Sequence, residues 1–283
     1  MLAPRLLFEA PMDFDPTVWE QYKSKFDIGG WSAAEVMVCN PNASFVIDDE
    51  YLSLFESLFL LATPSTGTNH IDLDACKKRG IKVISLLDDR EGLNTISASS
   101  EFTFKLLLDC MRMPPARELK GKLVGFLGMG RIGRKVGSWC QDFGAQIEAN
   151  DPHVSHFSSY PLKRLFKDCD AVVICCTLNH ETKGLVTKER IASMKQGAAL
   201  INTSRGAVID EDGLVEVMKE RPDLRVAVDV LVGMETGTDN PERLRELGAI
   251  VTPHIAGATY DSRTKAARII LGLLERELNH ERQ

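Results

Sequence analysis

The chain lacks several features that would each point to a particular class of protein. No stretch approaches about 18 uninterrupted apolar residues, so the sequence predicts no membrane-spanning helix. Arg5 and Glu9 interrupt the N-terminal apolar run, which argues against a signal peptide. Positive charge is not in excess: the net charge of −6 and the pI near 5.6 argue against nucleic acid or an anionic membrane as the main partner.

Motifs for disulfides, metals and serine hydrolases are also missing. None of the seven cysteines forms a C-x-x-C pair, and most lie in apolar runs, so we expect free thiols in a reducing cytoplasm. The His, Cys and Asp residues do not cluster at the spacings of metal ligands. No G-x-S-x-G motif is present. The sequence therefore predicts neither a metal site nor a serine nucleophile.

What the chain does contain is a repeated alternation of short apolar runs and helical stretches. With 283 residues it is long enough for two domains. The first part predicts four strands, in RLLFEA, EVMVCN, LFLLATP and IKVISL, with helices near 15–25, 49–57 and 72–79. After a helix over SASSEFTFKLLLDCMRM, a second part predicts six more strands with helices between them, and the chain closes on an amphipathic helix. This alternation predicts two α/β units, each with a parallel sheet covered on both faces.

The stretch KLVGFLGMGRIGRKVGSW, which starts at Lys122, carries glycines at the spacing of a dinucleotide site. We expect Gly128 to make the turn, Gly130 to admit a pyrophosphate and Gly133 to let helix and strand pack closely. Asp151 follows about 20 residues later at the end of the next strand, where a carboxylate binds ribose hydroxyls. No Arg follows it at once, which favours NAD over NADP. The alternative is that Asp151 only caps the turn before Pro152.

Three polar residues in the second part follow predicted strands, at the edge where open α/β sheets bind ligands. Arg205 in INTSRG has the fork geometry that binds a carboxylate, unless it forms a surface ion pair. Asp229 ends the strand in VAVDV, with Glu235 shortly after, and either could be only a loop or capping acid. His254 in VTPHIAGAT is a candidate acid–base group, or else a structural histidine.

These motifs together resemble the D-isomer-specific 2-hydroxyacid dehydrogenase family. The matching pieces run in order along nearly the whole chain: STGTNHIDLDA, SASSE, LGMGRIG, DP at Asp151, NTSRGAVIDEDGL and VTPHIAGAT. The resemblance implies two doubly wound, Rossmann-like or flavodoxin-like domains. An NAD-binding domain, residues 98–260, would be inserted into a substrate domain made of residues 1–97 and 261–283. It also implies an NAD-dependent enzyme and a homodimer.

The resemblance further assigns roles to individual residues. Arg205 would hold the carboxylate of a 2-hydroxy or 2-oxo acid, and His254 would exchange the hydroxyl proton as hydride moves to or from nicotinamide. Backbone N–H groups of Thr66 and Gly67 would also hold the carboxylate. The implied cofactor residues are Gly128, Gly130, Arg131, Ile132, Gly133, Asp151, Thr177, Thr203, Ser204, Asp229 and Gly257.

Two positions depart from the family pattern. The family has a Glu five residues after the strand-ending Asp, where it stabilises the protonated histidine. Here that position is Met234, and Glu235 comes one residue later, so we expect a one-residue shift to let Glu235 serve His254. The connection PPARELKG before Lys122 is also shorter than usual. These departures keep open a non-enzymatic NAD-sensing protein of the same fold, or an inactive relative that supports an oligomer.

The sequence leaves the acid itself open. The loops expected to contact its side chain, at 40–42, Thr66 and 88–93, offer only Arg90 as a cation for a phosphate. Glyoxylate, hydroxypyruvate, a longer apolar 2-oxo acid and a sugar-derived acid all remain candidates.

Overall fold

The structure, a computed structural model, describes residues 3–9, 13–39, 45–154, 160–234 and 237–280. The chain divides into two compact units: unit 1 comprises Met1–Ser97 and Ala258–Gln283, and unit 2 comprises Ala98–Gly257. Unit 2 is therefore inserted into the sequence of unit 1. Which of the two holds the substrate stays a prediction.

Unit 1 is built on a five-stranded parallel sheet. Its strands are β1 (Arg5–Phe8), β2 (Asp27–Ile28), β3 (Val36–Val38), β4 (Leu60–Thr63) and β5 (Lys82–Ser85). They lie in the order β2-β1-β3-β4-β5. The helices are α1 (Pro16–Lys25), α2 (Asp49–Leu52), α3 (Leu73–Lys78), α4 (Arg90–Asn94) and, from the C-terminal segment, α11 (Tyr260–His280).

Alternation along the strands of unit 1 fills a core on each face of the sheet. Leu6 packs in the core formed with α1 and α11, whereas the next residue, Leu7, packs in the core formed with α2 and α3. The same switch occurs between Val36 and Met37 in β3. Because successive strand side chains point to opposite faces, these apolar runs require helices on both sides of the sheet.

Unit 2 is built on a six-stranded parallel sheet. Its strands are β6 (Leu123–Leu127), β7 (Gln146–Asn150), β8 (Ala171–Ile174), β9 (Ala199–Asn202), β10 (Arg225–Val228) and β11 (Ile250–Val251). Its helices are α5 (Ala98–Arg112), α6 (Arg131–Asp142), α7 (Leu162–Asp168), α8 (Lys188–Ala192), α9 (Glu211–Glu220) and α10 (Glu242–Arg245). The strand order is β11-β10-β9-β8-β6-β7, and a core lies on each face.

The direction of winding in unit 2 reverses next to β6. The chain passes from β6 outward to β7, and then returns to place β8 on the opposite side of β6. In open α/β sheets, ligands bind outside the carboxyl ends of the strands at such a reversal. The glycine motif follows β6, so it lies where the sheet itself favours a binding site.

The two parallel α/β units confirm the fold class, but some predicted element bounds were wrong. The helix expected near 49–57 ends at Leu52. After it, the N–H groups of Ser53 and Leu54 donate to the carbonyl oxygens three residues earlier, those of Glu50 and Tyr51. Neither the short strand β2 nor the helix α4 was predicted, because each has too few residues to show a periodicity. None of the helices among the described residues is long and apolar enough to cross a membrane.

Candidate active site

The predicted site residues of unit 2 follow one continuous row of paired strand residues. Pairing in register joins the last residues of the six strands: Asn150, Leu127, Ile174, Asn202, Val228 and Val251. We call the loops that follow this row the carboxyl edge of unit 2. Arg205 follows Asn202 on β9 and His254 follows Val251 on β11, each by three positions. Two strand spacings, roughly 10 Å, separate the ends of β9 and β11.

The glycines after β6 form a turn that side chains would block. Gly128 has φ +93°, and a Cβ there would lie 2.6 Å from the backbone nitrogen of Cys176, in the loop after β8. A Cβ on Gly133 would lie 2.5 Å from the carbonyl oxygen of Gly128. A Cβ on Gly130, in contrast, would meet no protein atom within 4 Å. The fold therefore needs Gly128 and Gly133, whereas glycine at 130 leaves the backbone open to an outside group.

The helix α6 begins directly at this open backbone. Its N-cap is Gly130, and no side chain caps it. The first N–H groups of a helix lack intrahelical partners, and the positive end of the helix dipole favours anions. Arg131 and Ile132 in this first turn are half-buried, and burial lowers the pKa of the Arg131 guanidinium. A pyrophosphate fits this cradle in both shape and charge.

Asp151, directly after β7, is tied to the glycine turn. The N–H of Met129 donates to its Oδ2 (2.7 Å), and the N–H of His153 donates to its Oδ1 (2.9 Å). The second bond is the turn cap considered as the alternative, so the residue does cap that turn. Each carboxylate oxygen accepts more than one hydrogen bond, which leaves capacity for ribose hydroxyls.

The loop after β9 is held by the buried side chain of Asn202. Its Oδ1 accepts from the N–H (3.0 Å) and hydroxyl (3.1 Å) of Ser204, and its Nδ2 donates to the carbonyl of Arg205 (3.0 Å). The guanidinium of half-buried Arg205 donates to the Ser204 carbonyl (2.7 Å). Gly206 packs against the backbone of Leu231 so closely that no Cβ would fit. The backbone that carries Arg205 is therefore fixed on both sides.

Asp229, after β10, is fully buried, and its hydrogen bonds hold the loop after β11. Its Oδ1 accepts from the Thr252 hydroxyl (2.5 Å) and the Ile255 N–H (2.9 Å), and its Oδ2 accepts from the Ala256 N–H (2.9 Å). The N–H of His254 donates to the Asp229 carbonyl (2.9 Å). The carboxylate of Asp229 therefore holds the protein's own loop, and the expected contact of this residue with the cofactor stays a prediction.

The loop that Asp229 holds places His254 in an uncommon backbone conformation. His254 has φ 54°, the only positive φ at a non-glycine residue in the described part of the chain. Such a conformation costs about 1–3 kcal/mol, and it persists only where surrounding interactions hold the backbone in place. The imidazole is half-buried. Strain of this kind clusters at functional sites, so it favours a functional reading of His254 over a structural one.

The other predicted cofactor residues lie on the same carboxyl edge. Thr177 is exposed after β8, and its carbonyl accepts from the Thr182 hydroxyl (2.6 Å). Thr203 is half-buried, with its hydroxyl 2.6 Å from that of Thr103 in α5. Gly257 is exposed, and a Cβ there would lie 3.4 Å from the Ser99 hydroxyl oxygen. The sequence did not single out Asn202, whose side-chain contacts stay within its own loop, or Thr103, whose contact with Thr203 joins residues 100 positions apart.

Three further predicted residues are not among those that the structure places on this edge. Glu235 lies outside the described residues, whereas Met234 packs against the apolar core. The segment before it is held because the Val232 N–H donates to Glu211 Oε2 (2.9 Å). Thr66 and Gly67 lie in unit 1, and the Gly67 N–H, expected to hold a substrate carboxylate, donates to the Ser65 hydroxyl (3.1 Å). Among the described residues no metal-binding group of His, Cys, Asp or Glu is found.

Similarity to known proteins agrees with this geometry. Residues 106–256 match the family described as D-isomer specific 2-hydroxyacid dehydrogenase, NAD binding domain. A D-specific alpha-keto acid dehydrogenase of Enterococcus faecalis is 33% identical over 254 residues, which cover 78% of this chain and 77% of that protein. D-3-phosphoglycerate dehydrogenase of Bacillus subtilis is 29% identical over 245 residues, 78% of this chain but 45% of that protein's length. The chain thus spans less than half of that relative.

Solved structures show the same fold. NAD⁺-bound 3-phosphoglycerate dehydrogenase of Entamoeba histolytica has a TM-score of 0.82 at 22% identity, covering 98% of this chain and 96% of that chain. D-lactate dehydrogenase of Aquifex aeolicus, complexed with NAD and lactic acid, has a TM-score of 0.80 at 25% identity, covering 98% of this chain and 96% of that chain.

Proposed function

Because the chain belongs to the D-isomer-specific 2-hydroxyacid dehydrogenase family, we propose that it is an NAD-dependent oxidoreductase that interconverts a D-2-hydroxy acid and the corresponding 2-oxo acid. The observation that carries this proposal is the row of paired strand ends in unit 2. It places the glycine turn, Arg205 and His254 on one edge of one sheet. A dinucleotide, a carboxylate-binding cation and a proton donor are the three components that this reaction needs.

Arg205 is proposed to bind and orient the substrate carboxylate. A guanidinium presents two parallel N–H groups to a carboxylate and stays charged throughout the working pH range. Asn202 and the close approach of Gly206 to Leu231 fix the backbone beneath it. When the carboxylate is held in this way, the neighbouring carbon that carries the hydroxyl or carbonyl oxygen has few orientations left. This lowers the entropic part of the activation barrier.

His254 is proposed as the general acid and base. In the oxidation of a hydroxy acid its ring accepts the hydroxyl proton, and in the reduction of an oxo acid it returns a proton to the carbonyl oxygen. NAD held at the glycine turn would supply the hydride acceptor for the oxidation and the hydride donor for the reduction. Asp229 positions the imidazole through the loop bonds described above. We propose Glu235 as the acid that serves His254 in place of the family's Glu.

The test is a panel of 2-oxo acids with NADH, in which the loss of NADH absorbance is followed for the wild type, Arg205→Gln and His254→Ala. We expect turnover by the wild type with at least one acid. Arg205→Gln should raise KM strongly and leave NADH affinity unchanged, whereas His254→Ala should lower kcat by about 10²–10⁴. Tight NADH binding without turnover of any acid would favour a binding protein instead.

We also propose that the chain acts as a cytoplasmic homodimer. All seven cysteines are free thiols, as suits a reducing compartment. An aromatic cluster joins α5 to the end of α6: the half-buried ring of Phe104 is 5.7 Å from the half-buried Trp139 and 5.2 Å from Phe143, which is 54% exposed. Light scattering should show a dimer that Phe143→Glu dissociates and that Leu54→Glu, at another exposed position, leaves intact.

A further inference from the structure

Two threonine hydroxyls join α5 to the carboxyl edge of unit 2. The Oγ1 atoms of Thr103 and Thr203 lie 2.6 Å apart, although the residues are 100 positions apart in sequence. Thr103 is fully buried, and Thr203 is half-buried in the loop after β9. A contact of this length is a hydrogen bond, and its direction decides what Thr203 can offer to a ligand.

The direction follows from the number of hydroxyl protons. Each threonine hydroxyl has one proton to donate and two lone pairs that accept. Thr103 Oγ1 also lies 2.6 Å from the carbonyl oxygen of Ser99, which can only accept, so the Thr103 proton is used there. The proton between the two threonines therefore comes from Thr203. With its only proton committed, the Thr203 hydroxyl can accept hydrogen bonds from a ligand but cannot donate one.

The order of the sheet indicates which part of the cofactor lies near Thr203. Asp151 follows β7 and the glycine turn follows β6, so the adenosine ribose and the pyrophosphate are assigned there under the proposed function. The strands β8 and β9 lie on the other side of β6. The nicotinamide half of NAD bound in this way would extend toward the loop after β9. The carboxamide is the substituent through which the nicotinamide ring makes hydrogen bonds, and it carries an NH₂ group and a carbonyl.

We propose that Thr103 is a positioning residue that fixes Thr203 Oγ1 as an acceptor for the NH₂ group of the nicotinamide carboxamide. This inference rests on the proposed function, because it requires NAD at this edge. It adds a residue of α5 that does not touch the cofactor but selects which way round the carboxamide binds. The plane of the carboxamide would in turn fix the orientation of the nicotinamide ring.

The experiment compares the affinities of NADH and of reduced 3-acetylpyridine adenine dinucleotide, measured by fluorescence titration. The analogue keeps the carbonyl group but has a methyl group in place of the NH₂. We expect the wild type to prefer NADH. In Thr103→Val the Thr203 proton becomes free to bond to the acetyl carbonyl, so the preference should fall by about two- to tenfold, the range for one neutral hydrogen bond.

Two further variants separate this effect from packing. Thr103→Ser keeps the hydroxyl and should keep the preference of the wild type. Ser100→Ala removes the hydroxyl of a buried residue on the same helix, one with no hydrogen-bond partner among the described residues, and should also keep it. Because each preference is a ratio within one variant, a loss of stability alone does not change it.

The proposal is overturned if Thr103→Val keeps the preference of the wild type, or if it weakens both ligands by the same factor. A fall of the same size in Ser100→Ala would also overturn it, since the cause would then be helix packing. If the wild type binds neither dinucleotide, the proposed function itself fails, and this inference fails with it.

Discussion

The glycine turn allows protein stability and cofactor binding to be separated by two matched substitutions. Gly130→Ala and Gly133→Ala each add one methyl group within a single turn of the chain. At 133 the added Cβ would lie 2.5 Å from the Gly128 carbonyl oxygen, which belongs to the backbone and cannot rotate away. At 130 it would meet no atom within 4 Å apart from its own chain neighbours. We expect the first substitution to harm the fold and the second to harm NADH binding.

The magnitudes follow from these distances. Overpacking costs about 1–3 kcal/mol, and alanine regains up to about 1 kcal/mol in a helix, so Gly133→Ala should lose about 1–2 kcal/mol. For a unit of this size that lowers Tm by about 3–6 °C. Gly130→Ala should lose only about 0.5 kcal/mol, because alanine is a poorer N-cap than glycine. A methyl group against the pyrophosphate should weaken NADH binding about tenfold or more.

Thermal unfolding and NADH fluorescence titration measure the two effects independently. If folded Gly130→Ala binds NADH like the wild type, the assignment of the pyrophosphate to this backbone is wrong. If Gly133→Ala is as stable as the wild type, the turn has room that the structure does not show. Equal effects of both substitutions on both readouts would contradict the division of roles between the two glycines.

Three other predictions concern the loops, the acid range and the thiols. Asp229→Asn replaces one acceptor oxygen by an NH₂ donor that faces a backbone N–H, so urea unfolding should show a free energy of unfolding lower by about 2–4 kcal/mol. Thr252→Val, which removes one hydrogen bond to the same carboxylate, should cost less. Equal losses would contradict the conclusion that Asp229 holds the loop after β11. The Arg221 guanidinium and then the Gly197 N–H hold the pKa of Asp223 well below its usual range in the folded protein. The contribution of Asp223 to the free energy of unfolding is therefore fully present above about pH 4, and it is lost as the pH falls toward the lowered pKa of the folded state. Asp223→Asn should therefore lower the free energy of unfolding by about 1–2 kcal/mol at neutral pH, and the variant should lose less stability than the wild type on acidification. An unchanged slope of unfolding free energy against pH would refute this. Ellman's reagent should react with at most the two half-buried cysteines of the native protein, and with all seven after unfolding, because burial raises four other thiol pKa values to about 12: those of Cys39, Cys110, Cys140 and Cys169. Rapid reaction of more than two native thiols would contradict the burial.

Local patterns predicted the parts of the fold that local physics determines. The apolar runs form the strands, and Asp210 directly before α9 has a residue type that favours helix N-caps and accepts from the Gly213 N–H (3.1 Å). The glycine spacing marked a turn whose steric demands the structure shows at Gly128 and Gly133. In each case the signal and its cause lie within a few residues of each other.

The parts that the sequence missed depend on contacts between distant segments. The loop-holding bonds of Asp229 were not predicted, because its hydrogen-bond partners lie 23 to 27 positions later, across β11. Thr103 lies in the helix predicted over SASSEFTFKLLLDCMRM, and only folding brings Thr203, 100 positions later, into contact with it. Near 49–57 the apolar spacing suggested a long helix, but the chain turns after Leu52 to reach β4.

The proximity of Ser99 to Gly257 has a consequence for dividing this chain into separate domains by protein engineering. The two ends of unit 2 meet, because a Cβ on Gly257 would lie within 3.4 Å of the Ser99 hydroxyl oxygen. A segment whose ends adjoin can be excised, or its ends fused and new ones opened elsewhere, without stretching the backbone. We therefore expect residues 98–257 to be separable as a module, with a short linker from Ser97 to Ala258 joining the two segments of unit 1.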